Sequence, residues 1–157
     1  MLKVGIKDED KGWNDVLRSM DRLTRLGLRV GIFEDAVHST RGIPIAQIAA
    51  ANELGTQHIP ARPVFATTYE ANQDAYATRA KDIVAGELKS LGDEIANDIQ
   101  AAMWNFSDPK NAPRTIKNKG DIDNPWIHKE ETVKAVEARV EDKGLGLNKN
   151  KLGRVQM

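Results

Sequence analysis

The chain reads as an α+β fold, a small and mostly antiparallel sheet packed by one long helix and several shorter ones, with extended loops and a flexible C-terminal arm. Three observations predict it. Short period-2 alternations stand at Leu2, Val4 and Ile6, at Leu28, Val30 and Ile32, and at Val136, Ala138 and Val140, the pattern of strands with one buried face. A helical stripe runs from Ile83 and Val84 through Leu88, Leu91, Ile95 and Ile99 to Phe106, with apolar residues three and four apart. Strands and helices do not alternate strictly, which argues against a parallel doubly wound sheet. With 157 residues, 40% of them apolar, one domain can bury a real core. We expect that domain over residues 1–142, with the arm over 143–157.

Each element has a local cause. After the first strand, Trp13, Val16, Leu17, Met20 and Leu23 draw one stripe of a helix that Asp8 or Asp10 could cap and Gly27 could stop. Leu28 to Ile32 is the second strand. Residues 34–42 mix charge, Ser, Thr and Gly without period, so a weakly ordered exposed loop is expected. Pro44 can open a helix carrying Ile45, Ile48, Ala49 and Asn52, and Gly55 can close it. Pro60 and Pro63 then fix φ twice and bias Ile59 and Arg62 away from helix, which predicts a rigid extended segment. No proline interrupts 64–106, so a long helix is expected there, broken or bent near Gly92, with Asp93 and Glu94 favouring a new helix start. Its stretch 70–82 is polar or small, suited to solvent or to a neighbouring subunit. Pro109, Pro113, Pro125 and Gly120 predict a long irregular connection over 107–125. A short helix from Glu131 and the strand from Val136 close the fold.

Charge and composition exclude several function classes. The 23 Lys and Arg balance 23 Asp and Glu, so neither a strongly basic nucleic-acid binder nor an acidic disordered chain is expected. The balance is uneven along the chain. No acid follows Asp142, while Lys143, Lys149, Lys151 and Arg154 do, leaving 19 cations against 23 acids in 1–142. The arm has Gly and Asn but no apolar period, and we expect it to order only on an acidic patch of an adjacent subunit or ring. Cysteine is absent, which removes thiol chemistry and disulfides. No apolar run approaches a membrane span or a signal peptide, so a soluble, cytoplasmic product without a membrane partner is expected.

No catalytic constellation emerges. His38, His58 and His128 lie in separate loop or pre-helix settings, where turn and capping roles outweigh acid-base work. Asp8, Glu9 and Asp10, or Asp121 and Asp123, lack the spacing of a calcium loop. Gly144 and Gly146 lack the third glycine and the following helix of a phosphate cradle. Trp13, Trp104, Phe106 and Trp126 read as core or interface anchors, since no basic cluster interleaves them. We therefore expect no enzymatic activity, cofactor or metal.

One resemblance gives these features a context. The runs Ile48-Ala49-Ala50-Ala51-Asn52-Glu53-Leu54-Gly55-Thr56 and Ile59-Pro60-Ala61-Arg62-Pro63-Val64-Phe65 resemble the tail-completion and neck proteins of tailed bacteriophages, the virion-morphogenesis and tail-component families typified by phages Mu and HK97. The likeness continues at Asp98 to Ala102, at Asn111 to Gly120 and at Asn124-Pro125-Trp126-Ile127, so it spans about residues 28–140. It departs at His128-Lys129-Glu130, where the family carries an Asp-Thr-Gly turn. The resemblance implies a non-enzymatic virion protein, made in the host cytoplasm, that forms a homo-oligomeric ring, expected to be a hexamer, at the head-tail junction. Its partners would be connector or head-completion proteins and tail proteins, with genomic DNA passing through the lumen unbound; a tail terminator is the alternative within the class.

Ring closure requires one face of each copy to meet a different face of the next. The residues expected at such contacts are Ile59, Pro60, Arg62, Pro63 and Phe65 of the proline segment, and His38 and Arg41 of the polar loop. Arg114 and Lys117 of the long connection join them, with Trp126, and with Lys149, Lys151 and Arg154 of the arm. Arg62 has two readings, a fork of donors for a neighbour or a pin within its own subunit. A reading from another class is a DNA-contacting module using the basic arm with Lys110, Arg114, Lys117 and Lys119.

Overall fold

The structure, a computed structural model, describes residues 18, 25–81, 83 and 87–142. The expected first strand, nearly all of the expected first helix, and the basic arm with Lys149, Lys151 and Arg154 lie outside the described residues.

Two strands, β1 (Leu26–Ile32) and β2 (Val136–Asp142), pair antiparallel in the register Leu28↔Val140, Val30↔Ala138 and Ile32↔Val136. The alternation read in both segments is this register seen from one side: those six side chains share one face. On the other face Arg29 lies directly opposite Arg139. That like-charge pair is relieved locally, because Arg29 donates to Glu141 at 3.1 Å, Arg139 donates to Asp35, and both guanidinium groups sit over the Phe33 ring, 5.3 and 3.9 Å from its centre.

Between the strands come five described helices: α1 (Ile45–Leu54), α2 (Val64–Lys81), α3 (Leu88–Trp104), α4 (Pro113–Asn118) and α5 (Glu131–Lys134). The apolar face of the sheet is covered by α3, which buries Leu91, Gly92, Ala96, Ile99 and Met103 along one stripe. The α+β class and the helix lying on the sheet agree with the reading of the sequence.

The long helix is broken, as one of the two expected outcomes had it, but not where expected. The break precedes Leu88 rather than falling at Gly92. Gly92 instead lies buried inside α3, where a Cβ would come within 2.6 Å of both the Ala138 Cβ and the Leu28 Cδ1. The glycine is a notch that lets helix and sheet approach, and its weakness as a helix former is outweighed by that contact. Asp93 and Glu94 therefore fall within the helix and open nothing. The second helix folds back along the first, with Tyr76 Oη donating to Asp98 at 2.7 Å and Arg79 facing Glu94 at 3.4 Å. Burial, reinforced by Asp98 and Glu94, pushes the Tyr76 phenol well above its usual range. The polar stretch of α2, described as far as Lys81, is mostly exposed, with Tyr76 buried.

The connection 107–125 also departs from expectation, since it holds α4. Pro113 stands in its first turn, where the missing N–H is no loss and the fixed φ suits a helix. The loop 34–42, expected to be weakly ordered, is a hydrogen-bonded turn. His38 N donates to Ile43 O at 2.9 Å, Gly42 N to His38 O at 3.0 Å, and Val37 bridges Pro44.

The core joins these parts. Trp126, Met103 and Val64 are the largest wholly buried side chains, with Ile99, Ile127, Val133 and Val136 around them. Phe65 meets Trp126 edge to face, with ring centres 6.1 Å apart. Trp126 is 1% exposed, so of the two roles expected for it, core or interface anchor, it takes the core one within the subunit.

Candidate functional site

The site grows out of the end of α1. Gly55 terminates that helix at φ 74°, a left-handed conformation that favours glycine, and a Cβ there would strike Ala61 N at 2.8 Å and Ile59 O at 2.9 Å. Thr56 closes the following turn, with its Oγ1 accepting from His58 N and Ile59 N at 3.2 and 3.1 Å. The turn delivers Arg62, whose backbone N–H donates to Asn52 O at 2.7 Å.

The Arg62 side chain is 5% exposed and fully engaged within the chain. Nε donates to Pro109 O at 3.0 Å, Nη1 to Asn52 Oδ1 at 3.2 Å and Nη2 to Lys110 O at 2.8 Å. One planar fork thus ties the end of α1, the proline segment and the start of the long connection together. Burial lowers its proton affinity and Asp123 acts the other way, but a guanidinium remains charged at any ordinary pH. Of the two readings of Arg62, these bonds describe the pin within its own subunit, since each of its three side-chain nitrogens has an acceptor there.

Other polar side chains fasten the same region. The Glu53 carboxylate accepts from Phe65 N at 3.1 Å and Ala66 N at 2.9 Å, capping the first turn of α2 from a different helix. Asn111 pairs twice with Asp123, at 3.1 and 3.0 Å. Asn124 Nδ2 donates to Met103 O and Trp104 O at the end of α3, while its Oδ1 accepts from Trp126 N at 2.8 Å.

These ties surround a cleft of about 790 Å³. Its walls hold five cations, Arg41, Arg62, Lys110, Lys119 and Lys129, and also His38, His58 and His128, every histidine of the chain. Against them stands one carboxylate, Glu131. That acid is already occupied: Ser39 donates to it from N at 3.0 Å and from Oγ at 2.5 Å, and these bonds, followed by the charges of His38 and Lys129, lower its pKa. The His38 Nδ1 accepts from Thr40 N and Arg41 N at 3.2 and 3.3 Å, so this ring nitrogen serves the turn.

Crowding of like charge is visible in the remaining groups. Burial depresses the proton affinity of His128, and Lys119, Lys129 and His38 depress it further, with Glu131 opposing them. Burial and then Arg62 do the same to Lys119, with Asp123 opposing. Besides Arg62, two of the cations have internal partners, since Lys119 Nζ donates to Asn124 O at 2.6 Å and Lys110 Nζ lies 3.6 Å from Asp123. Arg41 and Lys129 make no ion pair among the described residues. Trp126 Nε1 is buried without a hydrogen-bond partner there.

Of the residues expected at contacts, His38, Arg41, Ile59, Pro60, Arg62 and Trp126 line this cleft. Phe65 is half-buried against Trp126, Pro63 is exposed beside the cleft segment, and Arg114 and Lys117 are exposed on α4 without lining it. The reading of the sequence missed the convergence of His58, His128 and Lys129, which lie far apart along the chain and share no motif. Nor does the helical spacing that places Asn52 in α1 show that Asn52 and its neighbour Glu53 each hold a second segment. Among the described residues no group of three His, Asp or Glu side chains could hold a metal ion, and no helix is long and apolar enough to cross a membrane. No protein-family model, no curated protein and no solved structure matches this chain.

Proposed function

We propose that the chain is a structural, non-enzymatic subunit of the phage neck, a tail-completion protein that assembles as a ring at the head-tail junction. The observation that carries this reading is a coincidence of sequence and packing. Of the five stretches bearing the resemblance, four are tied in two pairs: Arg62 and Phe65 are bonded to Asn52 and Glu53, and Lys119 is bonded to Asn124, while Arg62 also reaches Pro109 O and Lys110 O just ahead of Asn111. Such fastening gives the fixed shape that a closed ring of identical subunits demands, because a floppy contact angle would not repeat. Leu54, Tyr69 and Trp104 add exposed apolar side chains for subunit contacts, at 77%, 59% and 48% exposure.

Within this reading the subunit joins connector or head-completion proteins on one side and tail proteins on the other, and DNA passes without being gripped. The DNA-contacting alternative is weaker, because Lys110 and Lys119 of its basic surface are engaged internally. Light scattering on the size-exclusion peak, with negative-stain imaging, tests the proposal. A hollow ring, or a monomer that becomes incorporated into particles, is expected; absence of the chain from purified phage particles overturns it.

A further inference from the structure

The cleft between the proline segment and the long connection holds positive charge that the fold itself does not neutralise. Its one carboxylate, Glu131, stays charged under the Ser39 bonds and lies 3.7 Å from His38, so one acid stands against five cations, and two of these, Arg41 and Lys129, are exposed and make no ion pair among the described residues. The walls between the charges are apolar, formed by Ile48, Ile59, Pro60 and Pro125. A volume of about 790 Å³ exceeds what one small anion fills and lies in the range of sites that accept a ligand of several functional groups.

We propose that this cleft is a docking site for an acidic peptide segment of a partner protein, two or more of whose carboxylates sit among Arg41, Lys129 and the histidines while its apolar side chains rest on Ile59 and Pro60. Arginine forks and lysine ammonium groups recognise carboxylates and phosphates alike, so the choice between them rests on the rest of the wall. Single-stranded nucleic acid needs aromatic faces on which bases stack. No Phe or Tyr lines the cleft, and its one tryptophan, Trp126, is 1% exposed, which leaves only the small imidazole rings of His38, His58 and His128 as stacking faces. A nucleic-acid backbone also wants cations spaced along a track, whereas these converge in one concavity with apolar patches between them.

The walls are built in advance. Arg62, the Asn111–Asp123 pair and the Lys119–Asn124 bond hold them in place, so little ordering entropy is lost when a segment enters. Burial is the main cause of the lowered proton affinities of His128 and Lys119, but the neighbouring cations add to it, and that added repulsion is what an entering anion relieves. This inference stands apart from the neck reading: failure to form a ring leaves it intact, and failure to bind an acidic peptide leaves the ring intact.

The test uses the full chain with fluorescein-labelled hexaglutamate and, separately, labelled oligothymidylate with six phosphates, read by anisotropy at about 50 mM salt. The wild type is expected to bind hexaglutamate more tightly than the oligonucleotide. Arg41→Glu combined with Lys129→Glu should weaken peptide binding about tenfold or more, one such factor corresponding to a lost charged contact. Both residues are exposed, and the milder pair Arg41→Ala with Lys129→Ala should move binding in the same direction. Lys81→Glu with Lys89→Glu, on α2 and α3 outside the cleft, should leave it unchanged. Equal or tighter binding of oligothymidylate overturns the peptide assignment. No peptide binding by the wild type, or binding that both cleft variants retain, overturns the site.

Discussion

The two halves of the molecule are held together by different physics. Where α3 lies on β1 and β2, cohesion comes from shape: apolar side chains at helical spacing meet an alternating strand face, and Gly92 lets the surfaces touch. At the other end, around the cleft, the chain is mostly turns and short helices that rest on Trp126, Val64 and Ile127 of the shared core. Directed hydrogen bonds made by Arg62, Glu53, Asn111 and Asn124 fix the polar segments above it. Apolar packing is tolerant of the identity of a residue provided volume is kept. A polar pin is not, because loss of one partner leaves the others buried and unsatisfied. The polar half is therefore the fragile one per residue, and it is the half that carries the candidate site.

The largest effect should come from Arg62→Met. Methionine matches much of the buried stem but removes every donor, leaving Pro109 O, Lys110 O and Asn52 Oδ1 without the bonds they now accept. With about 1–3 kcal/mol for an unsatisfied buried group, and some water admitted by the neighbouring cleft, a loss of about 3 kcal/mol in urea unfolding is expected. Arg62→Lys should recover only a minority of it, because a single ammonium cannot span three acceptors arranged around a fork. Full stability in the lysine variant would break the contrast between pinned and packed halves.

Gly92→Ala sharpens the same contrast from the other side, and its sign is decided by two opposing terms. Alanine improves helix propensity by about 1 kcal/mol. Its Cβ, however, arrives 2.6 Å from the Ala138 Cβ, which is fixed to the strand backbone, and 2.6 Å from the Leu28 Cδ1, which can rotate away. Overpacking of this kind costs about 1–3 kcal/mol. A net destabilisation of about 1–2 kcal/mol is therefore expected, measured by thermal or urea unfolding, and a stabilised variant would show that the helix can lift from the sheet at little cost.

What the residues reveal without the structure follows the same division. Leu28 to Ile32 and Val136 to Val140 were legible as strands because alternation is a local signal. Pro44 and Gly55 bracket α1 for the equally local reason that one has no N–H to lose and the other accepts a positive φ. Gly92 misled because a glycine in a helical stripe reads as a weak point, whereas its use is tertiary, set by Ala138 and Leu28. The six-residue α4 was hidden under its prolines and glycine, although Pro113 at a helix start is a favourable signal. Arg62 was legible as important, but its partners Pro109 and Lys110 lie more than 45 residues away. The cleft itself was illegible, since His38, His58 and His128 meet only through those long-range ties.

The smallest of these effects, Glu53→Gln, asks whether the pins act one by one. Glu53 sits in α1, yet its two carboxylate oxygens accept from Phe65 N and Ala66 N in the first turn of α2. It does the work of an N-cap from outside the helix and places a negative charge at the positive end of the helix dipole. Glutamine keeps one acceptor oxygen and removes both the charge and the second acceptor, so the loss expected is about 1 kcal/mol. If the pins are independent, the double variant with Arg62→Met should lose the sum of the two within about 0.5 kcal/mol. The geometry argues for a larger departure. Asn52 and Glu53 are adjacent, and Arg62 holds the first while the second holds the start of α2, so releasing one frees the segment that presents the other. A double-mutant cycle with a coupling near zero would mean that the polar half is a set of separate fasteners; a coupling of about 1 kcal/mol, within the range seen for residues sharing a network, would make it a single cooperative knot.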